Sequence, residues 1–260
     1  MLRFMLEALI FDVDGTLADT ERDGHRPAFN AAFKEAGLPW HWDVELYGEL
    51  LAVTGGKERM IHYARQYLPE LAAKPGFDNM VRKLHALKTG HYVQLVQAGC
   101  LPLRPGVAPL IRAARTAGLR LAIATTTSPE NVAALLRASL GHDAESWFDV
   151  IGAGDVVAAK KPAPDIYLWV LQQLGLPASA CLAFEDSGNG LKAALGAGLA
   201  TVVTDGEYTR SHDFTGALAV LSDLGVPDSP ARVRRGDIHG KACVDIELLR
   251  IWHRESISKK

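Results

Sequence analysis

The sequence has little cysteine: three residues in 260, at Cys100, Cys181 and Cys243, far apart and without a CxxC pair. That excludes a disulfide framework and a cysteine-based structural zinc site, and the expected compartment is a reducing cytoplasm. Long apolar runs are missing as well. No stretch reaches the roughly 18 uninterrupted apolar residues of a membrane helix. The opening MLRFMLEALIFDVDG meets Glu7 and then Asp12 with no small-residue cleavage site, so no signal peptide is expected. Neither sign of charge dominates: 28 Lys and Arg stand against 30 Asp and Glu, a net charge of −2, leaving no basic excess for nucleic acid. There is no HxxxH pair for a catalytic zinc and no GxSxG turn for a serine hydrolase. With 48% hydrophobic and 22% charged residues, what remains is a soluble globular protein of one large domain, or a core with a smaller insertion.

Short apolar runs alternate with helical patterns over most of the chain. Strands are expected at Ala8–Phe11, Leu119–Ala124, Val150–Ala153, Cys181–Phe184 and Ala200–Val203, with a weaker one at Leu218–Leu221. Between them, Val107, Leu110, Ile111 and Ala114 recur at helical spacing before Gly118, and Ser128-Pro129 opens a helix that Gly141 closes. Ile166, Val170, Leu171 and Leu174 repeat the scheme. This alternation predicts an α/β fold, a doubly wound parallel sheet with helices on both faces. One region departs from it. Residues 20–99 carry only helical patterns, which predicts an all-helical cap inserted after the first strand, over the sheet edge where such folds bind ligands. The expected core is then 1–19 and 100–260, with hinges at Ala18–Thr20 and Gly99–Arg104. Val226–Asp237, with Arg232, Arg234 and Arg235, is expected as a solvated loop, and Val244, Leu248, Ile251 and Trp252 as a last helix on the core.

Four segments carry chemistry. Asp12 and Asp14, in Phe11-Asp12-Val13-Asp14-Gly15-Thr16, follow the first strand two residues apart, so in extended chain both point the same way and repel unless a cation or proton lies between them. Alone, such a pair can also be read as two solvated turn aspartates. Thr125 and Thr126 end a strand just ahead of a helix start, where hydroxyls and backbone N–H groups suit a phosphate. Lys161 stands before Pro162 and Pro164 at the head of another helix. Glu185 and Asp186 follow a further buried strand and are suitable oxygen ligands for Mg²⁺, which takes one or two carboxylates plus substrate phosphate.

An acid pair, a hydroxyl, a lysine and a second acid pair, in that order on one sheet edge, resemble the haloacid dehalogenase-like superfamily of phosphotransferases, through about residue 225. The resemblance implies that Asp12 is the nucleophile and Asp14 the general acid/base. It further implies that Thr125 binds phosphate, that Lys161 neutralises charge, and that Asp186, the Asp12 side chain and the Asp14 carbonyl hold Mg²⁺. Glu185 joins the ion directly or through water. The dual use of Asp14 leads to the expectation of a raised pKa, favoured by its acidic neighbours.

The insert adds a second resemblance. Its opening Ala18-Asp19-Thr20-Glu21-Arg22-Asp23-Gly24-His25-Arg26 and the later Tyr47 to Arg59 stretch, ending Thr54-Gly55-Gly56-Lys57-Glu58-Arg59, look like the CbbY-type sugar-bisphosphate phosphatases. The activity named for that family removes a phosphate from xylulose 1,5-bisphosphate, an inhibitory by-product of Rubisco, which places it beside the Calvin cycle. Glu21, His25, Tyr47, Gly55, Gly56 and Lys57 would then line the substrate side, with Lys57 and Arg59 on the second phosphate. A monomer acting on a small phosphorylated sugar, with no nucleic acid and no membrane, is the expectation. A β-phosphoglucomutase, or a phosphatase of sugar monophosphates or phosphoglycolate, would share the core motifs. Gly188-Asn189-Gly190-Leu191-Lys192-Ala193 also fits the dinucleotide fingerprint GxGxxA, but Glu185 and Asp186 just before it would repel a pyrophosphate.

Overall fold

A computed structural model describes residues 5–258, so residues 1–4 and 259–260 of the expected core lie outside it. β1 (Ala8–Phe11) is wholly buried between β2 (Arg120–Ala124) and β4 (Cys181–Glu185), parallel to both. β3 (Val150–Gly152), β5 (Ala200–Thr204) and β6 (Ala219–Leu221) extend the parallel array, and β7 (Val233–Arg235) closes one edge antiparallel to β6, in the order β3-β2-β1-β4-β5-β6-β7. The chain runs outward from β1 to β2 and β3, then crosses back to β4 on the other side of β1. That reversal puts a crevice at the carboxyl end of β1, the ligand position of such sheets.

Strand periodicity explains the two layers. Leu9 and Phe11 point to one face, where Phe11 stacks on Phe184 at 4.6 Å and packs with α6 (Val107–Thr116), α7 (Pro129–Leu140) and α10 (Ile246–Ser258). Ala8 and Ile10 point to the other, against α8 (Asp165–Leu174) and α9 (Gly188–Gly196). The expected α6 face is buried as read, and Gly118, at φ +74°, takes the left-handed turn that lets the chain reverse into β2. Ser128 caps α7 by accepting from the Asn131 amide, with Pro129 in its first turn.

Every regular element within residues 21–97 is helical: a π-helical turn at Glu21–His25, then α1 (Arg26–Glu35), α2 (Val44–Leu50), α3 (Gly56–Tyr67), α4 (Pro69–Ala72) and α5 (Phe77–Gln97), joined by turns and loops. The insert has its own aromatic core of Phe29, Phe33, Trp42 and Tyr47 with Met60. A separate cluster of Ala28, Tyr92, Val96 and Leu101, packed by Ala134 of α7, seals it to the sheet domain.

β7 corrects one expectation. The Val226–Asp237 stretch is not all loop. It makes an edge strand whose three residues are exposed, so no alternation of buried and exposed positions announces it. Beyond it, α10 buries Leu248, Leu249 and Trp252, and the Trp252 indole donates to the Asp237 carbonyl at 2.7 Å. Truncating Trp252→Ala should lower stability by about 3–5 kcal/mol in a urea titration. A loss under about 1 kcal/mol would mean that the tail is not part of the core.

Candidate active site

The crevice at the end of β1 holds a dense group of charges. Asp12 follows directly on β1, its amide donating to the Phe184 carbonyl at 3.0 Å. Lys161, 5% exposed, reaches it from the loop ahead of α8. The ammonium donates to Asp12 Oδ1 at 2.7 Å, to Glu185 Oε1 at 2.6 Å and to the Ala124 carbonyl at 2.9 Å. Tyr167 of α8 also donates its hydroxyl to Glu185 Oε1. Two glycines make room. A Cβ on Gly190 would stand 1.9 Å from Glu185 Oε2, and one on Gly15 would stand 2.2 Å from Asp186 Oδ2. Gly190, the second glycine of the apparent dinucleotide fingerprint, therefore serves close packing of α9 against a carboxylate.

Asp12, Glu185 and Asp186 are buried with ligand oxygens all within 4.8 Å of one another. Burial pushes the Asp12 carboxyl up to about 7; Lys161 opposes this, while Glu185 and Asp14 add to it. Burial and the charges of Asp12 and Glu185 raise Asp186 well above the carboxylate range. Lys161 is held firmly as an ammonium, its burial outweighed by Asp12 and Glu185. Three buried oxygen donors with one lysine between them fit a hard divalent cation, which would supply the missing positive charge.

Asp14 lies in a different setting. Its Oδ1 accepts from the Thr20 hydroxyl at 2.6 Å and meets His25 Nε2 at 2.7 Å, and His25 Nδ1 meets Lys88 Nζ at 2.7 Å. His25 stacks on Tyr92 at 4.3 Å, and the Lys88 ammonium lies over the Phe29 and Tyr92 rings. The expected upward shift of Asp14 does not occur. Burial does raise it, but the charge and hydrogen bond of His25, then Thr20 and Lys88, pull the carboxyl down to about 2. The neighbours that matter are His25, Thr20 and Lys88 of the insert, not the acids of the sheet. Burial also lowers Lys88, to about 8.

A cavity of about 650 Å³ opens above these groups, lined by Asp12, Asp14, Thr125, Thr126, Lys161, Glu185 and Asp186 from the sheet domain and by Glu21, Gly55 and Arg59 from the insert. Tyr47 is buried behind that wall. Its hydroxyl donates to Glu21 at 2.5 Å and accepts from Arg59 Nη1 at 2.8 Å, so it holds Glu21 in place. His25 likewise sits behind Asp14 and does not line the cavity. Gly56 and Lys57 line a second cavity of about 580 Å³ with His85, Asp155 and Lys160, and Thr126 borders both. Lys57 pairs there with Asp155, which also accepts from Lys160 at 2.8 Å. The hydrogen bonds of Lys160 and Lys57 hold the Asp155 carboxyl at about 2. Lys57 and Arg59 thus face different spaces.

The sequence model of the haloacid dehalogenase-like hydrolases matches residues 6–198. The chain belongs to that family. The plasmid-encoded CbbY protein of Cupriavidus necator is 53% identical over 253 residues, 97% of this chain and 98% of that one. CbbY of Cereibacter sphaeroides is 52% identical over 220 residues, covering 85% and 93% of the two chains. The crystal structure of CbbY from Rhodobacter sphaeroides with phosphate superposes with a TM-score of 0.77 at 49% identity, covering 84% of this chain and 95% of that one. A mutant of the same protein, solved in complex with xylulose-1,5-bisphosphate, matches equally well. This haloacid dehalogenase-like hydrolase is a phosphatase acting on phosphate esters, of a family that uses a divalent metal.

Several residues of the site went unnoticed in the sequence. Lys88 lies on the buried stripe Val81, Leu84, Lys88, Tyr92 and Val96 of α5, and a lysine on an apolar helical face was a readable signal. Tyr167 had none, since tyrosine in an apolar helix reads as core. The His25 contact can be tested directly. In metal-free protein, His25→Gln should move the Asp14 titration upward from about 2 by roughly one pH unit or more, followed by carboxyl carbon NMR. An unmoved titration would assign the depression to Thr20 and Lys88 instead.

Proposed function

We propose that this hydrolase removes one phosphate from a sugar bisphosphate, xylulose 1,5-bisphosphate, in a Mg²⁺-dependent reaction through an aspartyl-phosphate on Asp12. The observation that carries the reading is the Lys161 ammonium, shared between Asp12 and Glu185 below Thr125. A carboxylate attacks a phosphate dianion only where positive charge offsets the repulsion between them. Asp12, Asp186 and Glu185 would hold Mg²⁺, which when bound supplies the remaining positive charge and fixes the phosphate oxygens. Thr125 orients the phosphoryl group from the end of β2. Asp14 protonates the leaving sugar oxygen and then takes a proton from the water that cleaves the aspartyl-phosphate. From its own surroundings it lies at about 2, and a phosphate dianion alongside raises it toward the range that dual role needs.

The helical residues 20–99 act in this reading as a cap domain on a core of 1–19 and 100–260. Glu21, fixed by Tyr47 and Arg59, accepts from sugar hydroxyls, and the likeness to the CbbY complex supports the choice of sugar. The second phosphate falls to Lys57 and the Gly55-Gly56 backbone, with Arg59 on the cavity side. Lys57 is the cation able to change partners, because Asp155, its present one, is 63% exposed and such pairs are worth about 1 kcal/mol or less.

The core assignment is tested by phosphate release in Mg²⁺ from a panel of sugar mono- and bisphosphates. Xylulose 1,5-bisphosphate should be preferred, and Asp12→Asn should lose about three orders of magnitude or more in kcat. Broad or monophosphate-preferring release would overturn the substrate, an isomeric sugar phosphate as product would make the protein a mutase, and full activity of Asp12→Asn would overturn the mechanism. For the second phosphate, Lys57→Ala should raise KM about tenfold or more for the bisphosphate and little for a monophosphate. Equal effects on the two would remove Lys57 from that role.

A further inference from the structure

Arg104 is the most heavily engaged cation of the site, and the reaction outlined above gives it no part. It is 7% exposed and sits where the chain returns from the helical insert, its amide donating to the Leu17 carbonyl at 2.8 Å beside a bridge between Ala18 and Leu103. Its guanidinium serves four carbonyls from three separate loops. Nη1 donates to Gly15 and, at 3.2 Å, to Thr204; Nη2 donates to Asp205 at 2.7 Å and to Ser222 at 2.6 Å. Its carboxylate neighbour Asp19 is 3.5 Å away and 68% exposed, so solvent screens that pair and the carbonyls are its main partners.

The Gly15 bond connects Arg104 to the acidic cluster. Gly15 has φ +84°, and a Cβ there would stand 2.2 Å from Asp186 Oδ2, so its backbone is in direct contact with that carboxylate. Gly15 thus meets Asp186 at its α-carbon and Arg104 at its carbonyl. Through the same guanidinium it is tied to the loops after β5 and β6.

We propose that Arg104 is a positioning residue for the divalent metal. By fixing the Gly15 peptide against Asp186, it sets the spacing of the Asp12 and Asp186 carboxylates, and it links that spacing to the strand of chain leaving the insert. This rests on the metal reading of the Asp12, Glu185 and Asp186 cluster given above. A lysine keeps the charge of Arg104 but is a compact point donor that cannot span four carbonyls in three loops, so the role is specific to the planar, forked guanidinium.

The sign of the effect separates positioning from simple electrostatics. Arg104 is a positive charge close to a cation site, so its removal would tighten metal binding if charge alone mattered. Loss of positioning weakens it instead, on the order of tenfold or more for a group that orients metal ligands. The test is a titration of Mn²⁺, read by electron paramagnetic resonance, into metal-free wild type, R104K and R104M, with thermal melts of each. The expected result is weaker Mn²⁺ binding in both variants, with R104K carrying the test if R104M does not fold. Unchanged or tighter Mn²⁺ binding in the variants, whatever their melting temperatures, would overturn the role of Arg104. A wild type that binds no Mn²⁺ would overturn the metal reading itself, and this proposal with it.

Discussion

Burying three carboxylates within 4.8 Å of one another is an electrostatic problem that shapes the whole carboxyl edge of the sheet. Each ionised group removed from water costs several kcal/mol unless it is paired, and like charges at this range add to the cost. Lys161 answers part of it, with two carboxylates and a carbonyl on one ammonium. Tyr167 answers another part by donating to Glu185, and the missing side chains at Gly15 and Gly190 allow backbone to close over Asp186 and Glu185. The register of β1 with β4 then leaves little freedom. Phe11 pairs with Phe184, so the next residues, Asp12 and Glu185, emerge side by side. A slip of one residue would send one acid into an apolar layer.

The insert is joined to this site by charge as well as by packing. Tyr92 and Val96 of α5 pack with Leu101 and Ala134 at the seam, and on the same helix Lys88 reaches through His25 to Asp14. The sheet therefore supplies the carboxylate, and the insert supplies the His25 ring and the Lys88 side chain that face it. Any movement of one against the other would change the environment of Asp14 before it changed that of Asp12, whose main partner Lys161 belongs to the sheet domain.

The parallel sheet and its strands were legible in the sequence to within about a residue, because fully buried strands leave short apolar runs that alternate with amphipathic helices. The four chemical segments were legible for a related reason: residues that follow buried strands in a doubly wound fold converge on one edge. What escaped depended on contacts across the chain. The downward shift of Asp14 comes from His25 and Lys88, 11 and 74 positions away in sequence, whereas the nearby acids suggested the opposite. Lys57 and Arg59 read in the sequence as one basic pocket, but α3 begins at Gly56, and residues two apart on a helix point to different sides. Arg59 turns to Tyr47 and Glu21, Lys57 to Asp155. The Gly55-Gly56 turn makes that division possible. Gly55 has φ +97° with Glu58 where a Cβ would be, and a Cβ on Gly56 would crowd His85 and Phe29.

Asp12 and Asp14 are two residues apart, yet their surroundings drive them in opposite directions, one up to about 7 and the other down to about 2. For groups facing a common cavity, such a split marks different tasks. Burial raises both; at Asp12 it prevails over Lys161, whereas at Asp14 His25, Thr20 and Lys88 reverse it. Around Asp12 the protein assembles more negative charge than Lys161 can offset, which favours the arrival of a cation. Around Asp14 it assembles His25 and Lys88, so an anion can approach without meeting an uncompensated carboxylate. The same pair of aspartates thus presents a cation-seeking side and an anion-tolerant side to one cavity. A phosphate ester accompanied by a divalent metal matches both at once, whereas an anion or a cation alone matches only one.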